Sequence, residues 1–451
     1  MRIVIGGGGK VGELLCKDLA AEGHDIILIE IDEQVIDDMI AGADIGALQG
    51  NVADYNTQVE AGVEGCDFFI SVTANDEVNM IAAVIASKLG AANTIARVRN
   101  PEYGQNLGFM RNSLGISLLI NPDLEAAREI AKLLKFPNAL NVESFANGRL
   151  NMVELYIDED SPLADMKLTE FRAKFGACLV CAAQRGDEVH IPGGNFVLKE
   201  GDHILVTGPV GDLDKIYKAA GAFKGKLKNL LLIGGGKTAH YICQKMVPSG
   251  MRIRVIEKNH KLAMQLANDF PKINVTIGDG TDYRLLDECN FDRADAVVAL
   301  TGIDEENVLM GMYAASREIP KIITKVNRTQ MLSILRDVGL QTIITPKRLV
   351  SDHILRLTRG YDNAQGSNVE ALYRLLNDQA EALEFNVRKG SKVTGVPLSN
   401  LSIKSEVLIA FILRGQKIIF PKGDDTIEAG DHILVISKEK NFDDVEDILG
   451  N

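Results

Sequence analysis

The sequence predicts an α/β protein of two tandem modules, each a Rossmann-like doubly wound parallel sheet followed by a small α+β lobe. Three observations predict it. First, a glycine-rich turn occurs twice, in "VIGGGGKVGE" from Val4 and "LIGGGKTAHY" from Leu232, each after an apolar strand and before a helix. Second, the halves keep register: Gly7 matches Gly234, Glu30 matches Glu257, "TANDEVN" at 73–79 matches "TGIDEEN" at 301–307, and "EGDHILVTG" at 200–208 matches "AGDHILVIS" at 429–437. Self-similarity over a unit this long marks a duplicated architecture. Third, short apolar runs alternate with helical patterns, which implies parallel strands covered on both faces.

The elements follow in order. "RIVIG" reads as a strand, and "KVGELLCKDLAAEG" as a helix with Val11, Leu14, Leu15, Asp18 and Leu19 at helical spacing. "DIILIE", "DIGALQG", "DFFISVT", "TIARV" and "GISLLI" are the later strands, and right-handed crossovers give a doubly wound sheet. In the second copy the strands are "NLLLIG", "RIRVIE", "NVTIGD", "AVVALT", "IITKV" and "TIITP". The helix "NPDLEAAREIAKLLKF" has Pro122 in its first turn and an apolar stripe of Leu124, Ala127, Ile130, Ala131 and Leu134. That stripe suits packing on its own domain or on a partner subunit.

The segment after it changes character. "LNMVELYID", "CLVCAAQRGDEVHIP" and "DHILVTG" are β-rich, with one helix near "LADMKLTEF". Gly186 and its counterpart Gly415 fall at tight hairpin turns. The expected domains are therefore nucleotide-binding lobes at 1–136 and 223–360, and small lobes at 137–222 and 361–451.

Composition narrows the function classes. The chain has 451 residues, 46% of them apolar, and a formal net charge of −13. No run approaches the ~20 apolar residues that span a bilayer. The N-terminal "MRIVIGG" lacks the n-, h- and cleavage regions of a signal peptide, so a cytoplasmic location is expected. The acidic balance argues against nucleic acid and against direct adsorption to anionic lipid. Cys178 and Cys181 form a CxxC, but inside an apolar strand the two sulfurs diverge, and the second copy has Val407 and Ala410 there. Core packing is the expected role.

Gly7-Gly8-Gly9-Lys10-Val11-Gly12 fits G-x-G-x-x-G, and Glu30 ends the next strand. Gly7 serves the tight turn, Gly9 the approach of a pyrophosphate, and Gly12 the close packing of helix on sheet. The helix N-terminus offers free N–H groups to phosphate. A carboxylate at Glu30 suits ribose hydroxyls and repels a 2′-phosphate, which favours NAD(H) over NADP(H). Gly234-Gly235-Gly236-Lys237-Thr238-Ala239 fits the variant ending in Ala, with Glu257 as its acid. "GKT" at 236–238 is no P-loop, since Leu231 stands where that motif needs glycine. Lys10 and Lys237 suit a terminal phosphate or solvent, so ATP/ADP stands beside NAD(H). Asn51-Val52 and Asp279-Gly280 follow the third strands and are placed to flank an adenine. Thr73-Ala74 and Thr301 lie at the carboxyl edge of the sheet, where ligands bind. Arg97 and Lys325 end the fifth strands, within reach of a phosphate or a partner's acid. An ordinary loop role competes at each of these positions.

A dehydrogenase also needs a substrate domain and an acid–base group. His203 and His432 sit in matched "GDH" strand starts and read as structural; the other histidines have no matched partner, and no metal cluster is evident. A nucleotide site without chemistry suggests that the nucleotide is a signal. The alternative is an NAD-dependent oxidoreductase.

The motifs together resemble the TrkA family, the NAD-binding regulatory subunits of Trk potassium-uptake systems. The carriers are the first glycine turn with Glu30, "VTANDEVN", "ARVRNPEY", "LLINP" and "KEGDHILV", all recurring in the second half. The resemblance covers essentially the full length. It implies that each module is an RCK unit and that four chains form a ring beneath a membrane-embedded potassium transporter subunit. The protein would then be a non-enzymatic sensor, peripheral on the inner face of the membrane through its partner and without direct lipid insertion. It further implies that the helix after the sixth strand serves at subunit contacts. Lys10, Lys237 and Ala239 depart from the pattern and leave NADH against ATP/ADP open.

Overall fold

The computed structural model describes residues 1–104, 107–145, 149–220, 226–328, 340, 342–364, 369–376, 379–439, 442 and 444–450. They fall into two compact units. Unit 1 is Met1–Ala131 with Leu227–Leu355, and unit 2 is Lys132–Lys226 with Arg356–Asn451.

Unit 1 holds two six-stranded parallel sheets. In the first, β1 (Arg2–Gly6), β2 (Asp25–Glu30), β3 (Gly46–Gln49), β4 (Phe68–Ser71), β5 (Asn93–Arg97) and β6 (Leu118–Ile120) run in the order β3-β2-β1-β4-β5-β6. The chain winds outward from β1 to β3, then crosses to β4, so the topological switch lies between β1 and β4. Ligands of open α/β sheets bind at such a point, beyond the carboxyl ends of the strands. The two registers meet at Gly6, which pairs with Ile29 on one side and Ser71 on the other. Every residue of β4 is buried, as a doubly covered sheet requires.

The second sheet repeats the first. Strands β12 (Asn229–Ile233), β13 (Arg252–Glu257), β14 (Asn274–Ile277), β15 (Ala296–Ala299), β16 (Lys321–Lys325) and β17 (Ile343–Ile344) take the order β14-β13-β12-β15-β16-β17.

The two copies are joined to each other by the helices that follow β6 and β17. Asn121 Nδ2, just before the helix Pro122–Lys135, donates to the Tyr241 hydroxyl at 2.9 Å. Thr238 Oγ1 donates to Asp123 Oδ1 at 2.7 Å. Ser351, on the helix Pro346–Ala364, donates to Asp18 Oδ2 at 2.8 Å. Each of these helices therefore touches the glycine-turn helix of the other copy, Lys237–Met246 or Lys10–Ala21. The stripe Leu124, Ala127, Ile130, Ala131 and Leu134 is buried throughout. Its helix meets the other half of the same chain, a third option beside the two that the sequence offered.

Lys321 opens β16 and is only 3% exposed. Burial pushes its ammonium down to about 7. The unfolded chain keeps the ordinary lysine value, so between about pH 7 and 10 it binds a proton that the folded chain does not. Stability therefore rises with pH across that window, and the full penalty is present below it. Lys321→Met is expected to raise unfolding stability near neutral pH and to flatten the rise, because a methionine there has no charge to desolvate. Urea melts at several pH values check this; an unchanged slope would contradict it.

Unit 2 holds two five-stranded sheets. Strands β7 (Asn141–Phe145), β8 (Leu150–Tyr156), β9 (Leu179–Arg185), β10 (Glu188–His190) and β11 (His203–Thr207) run β10-β9-β11-β8-β7. Strands β18 (Val369–Leu375), β19 (Ala380–Asn386), β20 (Val407–Arg414), β21 (Lys417–Ile419) and β22 (His432–Ser437) run β18-β19-β22-β20-β21. Neighbouring strands in both sheets are antiparallel. One core joins the copies: Phe145 and Met152 pack with Leu375, Ala382 and Phe411, and Phe145 stands edge-on to Tyr373 at 4.5 Å. The hairpin turns fall at Gly186 (φ 58°) and Gly415 (φ 60°), as the spacing predicted. The helix expected near "LADMKLTEF" begins later, at Leu168, and runs to Phe175.

The "GDH" aspartates are buried anchors. Asp202 is held by Arg185 through Nε at 2.7 Å and Nη2 at 2.8 Å, and by the Lys199 amide at 2.8 Å. Asp431 is held the same way by Arg414 and the Glu428 amide. Each pair ties a hairpin to the start of the neighbouring strand. His203 Nδ1 lies 3.0 Å from Glu154 Oε1 on the paired strand, a sheet contact. Cys178 and Cys181 are buried free thiols, pushed up by desolvation and so poor nucleophiles.

Candidate functional site

Each parallel sheet carries a glycine turn at its switch point, and each glycine there has a distinct reason. Gly7 has φ 102° and Gly234 φ 104°, a region that L side chains rarely adopt. An added Cβ would also strike the backbone after β4 or β15, 2.9 Å from Thr73 N or from the Leu300 carbonyl carbon. A Cβ on Gly12 would lie 1.9 Å from Gly7 O, so the helix sits directly on the turn. At Gly8 and Gly235 it would press on Val35 and on Glu257. At Gly9 and Gly236 it would meet nothing within 4 Å. The outermost glycine of each turn thus faces open space, while the others are closed in by the protein. That is the shape a phosphate approaching the backbone requires.

The helices that follow start at Lys10 and Lys237, with Gly9 and Gly236 as their N-caps and no side-chain cap. Their first N–H groups are left for another acceptor. Lys10 and Lys237 are exposed. Val11 is buried, as are Thr238 and Ala239.

Glu30 and Glu257 stand beside the turns. Glu30 Oε2 accepts from the Gly8 amide at 2.5 Å, and Oε1 from the Ile31 amide at 2.8 Å. Glu257 Oε2 accepts from the Gly235 amide at 2.6 Å, and Oε1 from the Asn259 amide at 2.7 Å. Each carboxylate is fixed at the tip of β2 or β13 by the turn itself. A carboxylate has about four acceptor positions, so these bonds leave capacity for a further donor.

The remaining sequence candidates divide. Asn51 is exposed, its Oδ1 accepting from the Ala53 amide at 3.0 Å. Asp279 is exposed too, and hydrogen bonds from the Thr281 amide and hydroxyl hold its carboxyl below the usual range. Val52 is buried, packed where a Cβ on Gly6 would meet it at 2.1 Å. In the second copy the sizes are exchanged: Gly280 takes the place of Val52, and Ile233 that of Gly6. A Cβ on Gly280 would meet Ile233 at 2.4 Å.

Thr73 and Thr301 are partly buried beside the turns, and Ala74 is exposed. Arg97 does not reach outward. Its Nη2 donates to Thr73 O at 2.5 Å, and burial, then Arg99, lowers its pKa. Lys325 Nζ likewise donates to Leu300 O at 2.9 Å, with its pKa lowered first by burial. Both cations brace the edge from below.

Sequence reading missed the residues that build that edge. Asn79 is fully buried. Its Oδ1 accepts from the Thr73 amide at 2.8 Å, Thr73 Oγ1 at 2.7 Å and Ser71 Oγ at 2.9 Å, and its Nδ2 donates to Thr73 O and Arg97 O. Asn307 does the same for Thr301 and Lys325 O. Asp76 accepts from the Arg99 and Asn100 amides, and Asp304 from those of Asn327 and Arg328. The signal was present: all four recur at matched places in "TANDEVN" and "TGIDEEN".

Known proteins agree with this architecture. The TrkA-N domain family matches residues 3–122 and 230–346, and the TrkA-C domain family matches 152–221 and 382–450. The Trk system potassium uptake protein TrkA homolog of Archaeoglobus fulgidus is 30% identical over 455 residues, covering 100% of both chains. The Trk system potassium uptake protein TrkA of Halomonas elongata is 28% identical over 451 residues, covering 99% of this chain and 98% of that one. Among solved structures, the GsuK RCK domain superposes with a TM-score of 0.64 at 16% identity, covering 97% of this chain and 92% of that one. The GsuK channel bound to NAD superposes with a TM-score of 0.63 at 15% identity, covering 97% and 76%. With both repeats matched along their length, the chain belongs to the TrkA family of Trk system potassium uptake proteins.

Proposed function

We propose that this protein is a nucleotide-sensing regulatory subunit of a membrane potassium uptake transporter, binding NAD(H), with ATP/ADP as competing ligands, at two sites per chain. The carrying observation is the pair of matched turns in which Gly9 and Gly236 alone face open space, each beside a fixed carboxylate. Gly7–Gly12 and Gly234–Ala239 would hold the phosphates at their helix starts, and Glu30 and Glu257 the ribose hydroxyls. Asn51 and Asp279 would border the adenine. The bound nucleotide supplies negative charge and bridging contacts; it undergoes no reaction in this reading.

A ligand shifts an equilibrium only by its differential affinity for the two states. The joined copies offer such an element, because the glycine-turn helix that would receive phosphate is the helix touched by the other copy. Membership of the family, whose curated members are named as parts of a potassium uptake system, supports a transporter partner. Assembly of four chains into a ring on that partner, on the inner face of the membrane, belongs to the same proposal. Among the described residues no helix is long and apolar enough to cross a membrane.

Calorimetric titration with NAD⁺, NADH, NADPH, ATP and ADP tests the reading, together with Gly9→Trp and Gly236→Trp. Because each position opens on free space, a bulky side chain should fill the ligand volume without disturbing the fold. Each variant is expected to lose its own site, with at least about a hundredfold weaker binding there, equivalent to ~3 kcal/mol. Binding of NADP(H) alone would overturn the role of the two glutamates, and turnover of a substrate would favour an oxidoreductase.

A further inference from the structure

The two turns are alike in their own residues but not in what the other copy sets against them. Pro122 and Pro346 begin matched helices, and the next residue is Asp123 in one and Lys347 in the other. Asp123 Oδ1 accepts from Thr238 Oγ1 at 2.7 Å, on the first turn of the helix that follows Gly236. Its Oδ2 is held by Arg99 Nε at 2.9 Å. A buried carboxylate, paired with Arg99, is thus anchored against the first turn of that helix. Glu77, also from the first copy, lies within electrostatic reach of Lys237.

The first turn is faced differently. Ser351, one turn beyond Lys347 on the same helix, donates to Asp18. This seats the helix along Lys10–Ala21 and brings Lys347 towards its start. Burial is the largest cause of the lowered Lys347 pKa, and Glu13, Lys10, Asp304 and Lys17 act on the same ammonium. The second copy's Glu305 is paired with Arg328 at 2.9 Å. The surroundings of the second turn carry Asp123, Asp76, Glu77, Arg99, Lys237 and Lys325; those of the first carry Lys347, Lys10, Lys17, Glu13 and Asp304. The first is the more positive.

We propose that this exchange of Asp123 for Lys347 makes the two sites select different nucleotides: the Gly7–Gly12 site favours the more highly charged nucleoside triphosphate, and the Gly234–Ala239 site favours the less charged dinucleotide. The inference rests on the nucleotide-binding reading above and names the ligand preference of each of its sites. A single charge beside a phosphate acts on it even at high effective dielectric. That is enough to change relative affinity several-fold.

The test titrates the full-length chain with ATP and with NADH in two backgrounds. Gly236→Trp leaves only the first site, and Gly9→Trp leaves only the second. The ATP-to-NADH affinity ratio is expected to be about tenfold higher in the first background than in the second, ~1.4 kcal/mol. Lys347→Gln in the first background should lower that ratio about threefold and flatten its salt dependence. Asp123→Asn in the second should raise it by a similar factor; the amide oxygen can still accept from Thr238, while Arg99 loses its charged partner. Equal ratios at both sites, unmoved by either substitution, would overturn this inference while leaving the nucleotide reading intact. Failure of both nucleotides to bind in both backgrounds would overturn that reading and this one with it.

Discussion

Replacement of Asn79 by alanine is expected to destabilise unit 1 by about 4 kcal/mol, near the upper end for a single substitution. The side chain is fully buried and serves both ends of the β4 edge, accepting from Ser71 Oγ, Thr73 N and Thr73 Oγ1 and donating to Thr73 O and Arg97 O. Alanine leaves these groups without their partner in a place too small for bulk water to replace it fully, and each orphaned buried group costs roughly 1–3 kcal/mol. The second copy supplies an internal comparison. Asn307 makes the corresponding bonds to Thr301 N, Thr301 O and Lys325 O. However, Ala299 stands where the first copy has Ser71, and Thr301 Oγ1 turns to Ile303 O instead. Asn307→Ala should therefore cost about 1–2 kcal/mol less, as fewer groups are orphaned. Denaturant melts of both variants check the order as well as the size. Equal losses, or a loss below ~1.5 kcal/mol for Asn79→Ala, would show that water replaces the amide.

The second large effect is expected at Gly12. Its Cβ would lie 1.9 Å from Gly7 O, a backbone atom of the turn. No rotamer can relieve that contact, so the helix Lys10–Ala21 must move off the sheet or the turn must deform. Gly12→Ala is expected to cost about 3 kcal/mol through overpacking. It should also weaken nucleotide binding at the first site at least tenfold, because the phosphate-facing amides are displaced. The matched residue in the second copy is Ala239, buried and native, where the helix already stands to admit a Cβ. Ala239→Gly should lose only about 1 kcal/mol, mostly helix propensity, and keep binding at the second site. Melts of the single variants, with titrations of each in the background that isolates its site, separate the two outcomes. A harmless Gly12→Ala would mean that the first turn is as roomy as the second.

Much of this was legible in the sequence because it is local. The glycine turns, the acids at the ends of β2 and β13 and the hairpin glycines are each dictated by neighbours a few residues away, where backbone sterics act. The same holds for the doubly wound sheet, since successive short crossovers leave few ways to wind parallel strands. Arg97 and Lys325 mark where that reasoning thins. A cation ending a central strand can point outward to a ligand or back to a carbonyl, and only the packing beneath it, Thr73 O in one copy and Leu300 O in the other, shows that it points back. Val52 and Gly280 are similar: each side chain's size is set by its partner across the sheet, Gly6 or Ile233, far away in sequence.

The sequence by itself determined that the chain is a duplication, that each copy has one parallel sheet followed by a small β-rich lobe, and where the glycine turns lie. These follow from periodicity, turn chemistry and the matched register. Only the tertiary structure decided how the four parts associate. The chain runs large, small, large, small, yet the large parts form one unit and the small parts another. The physical reason is complementarity between duplicated parts: matched surfaces of the two copies can cover each other, whatever loops join them. It follows that Asp123 meets Thr238 across the chain while its counterpart Lys347 turns to the first copy's helix. Two nearly identical motifs thus acquire different surroundings from residues more than a hundred positions away.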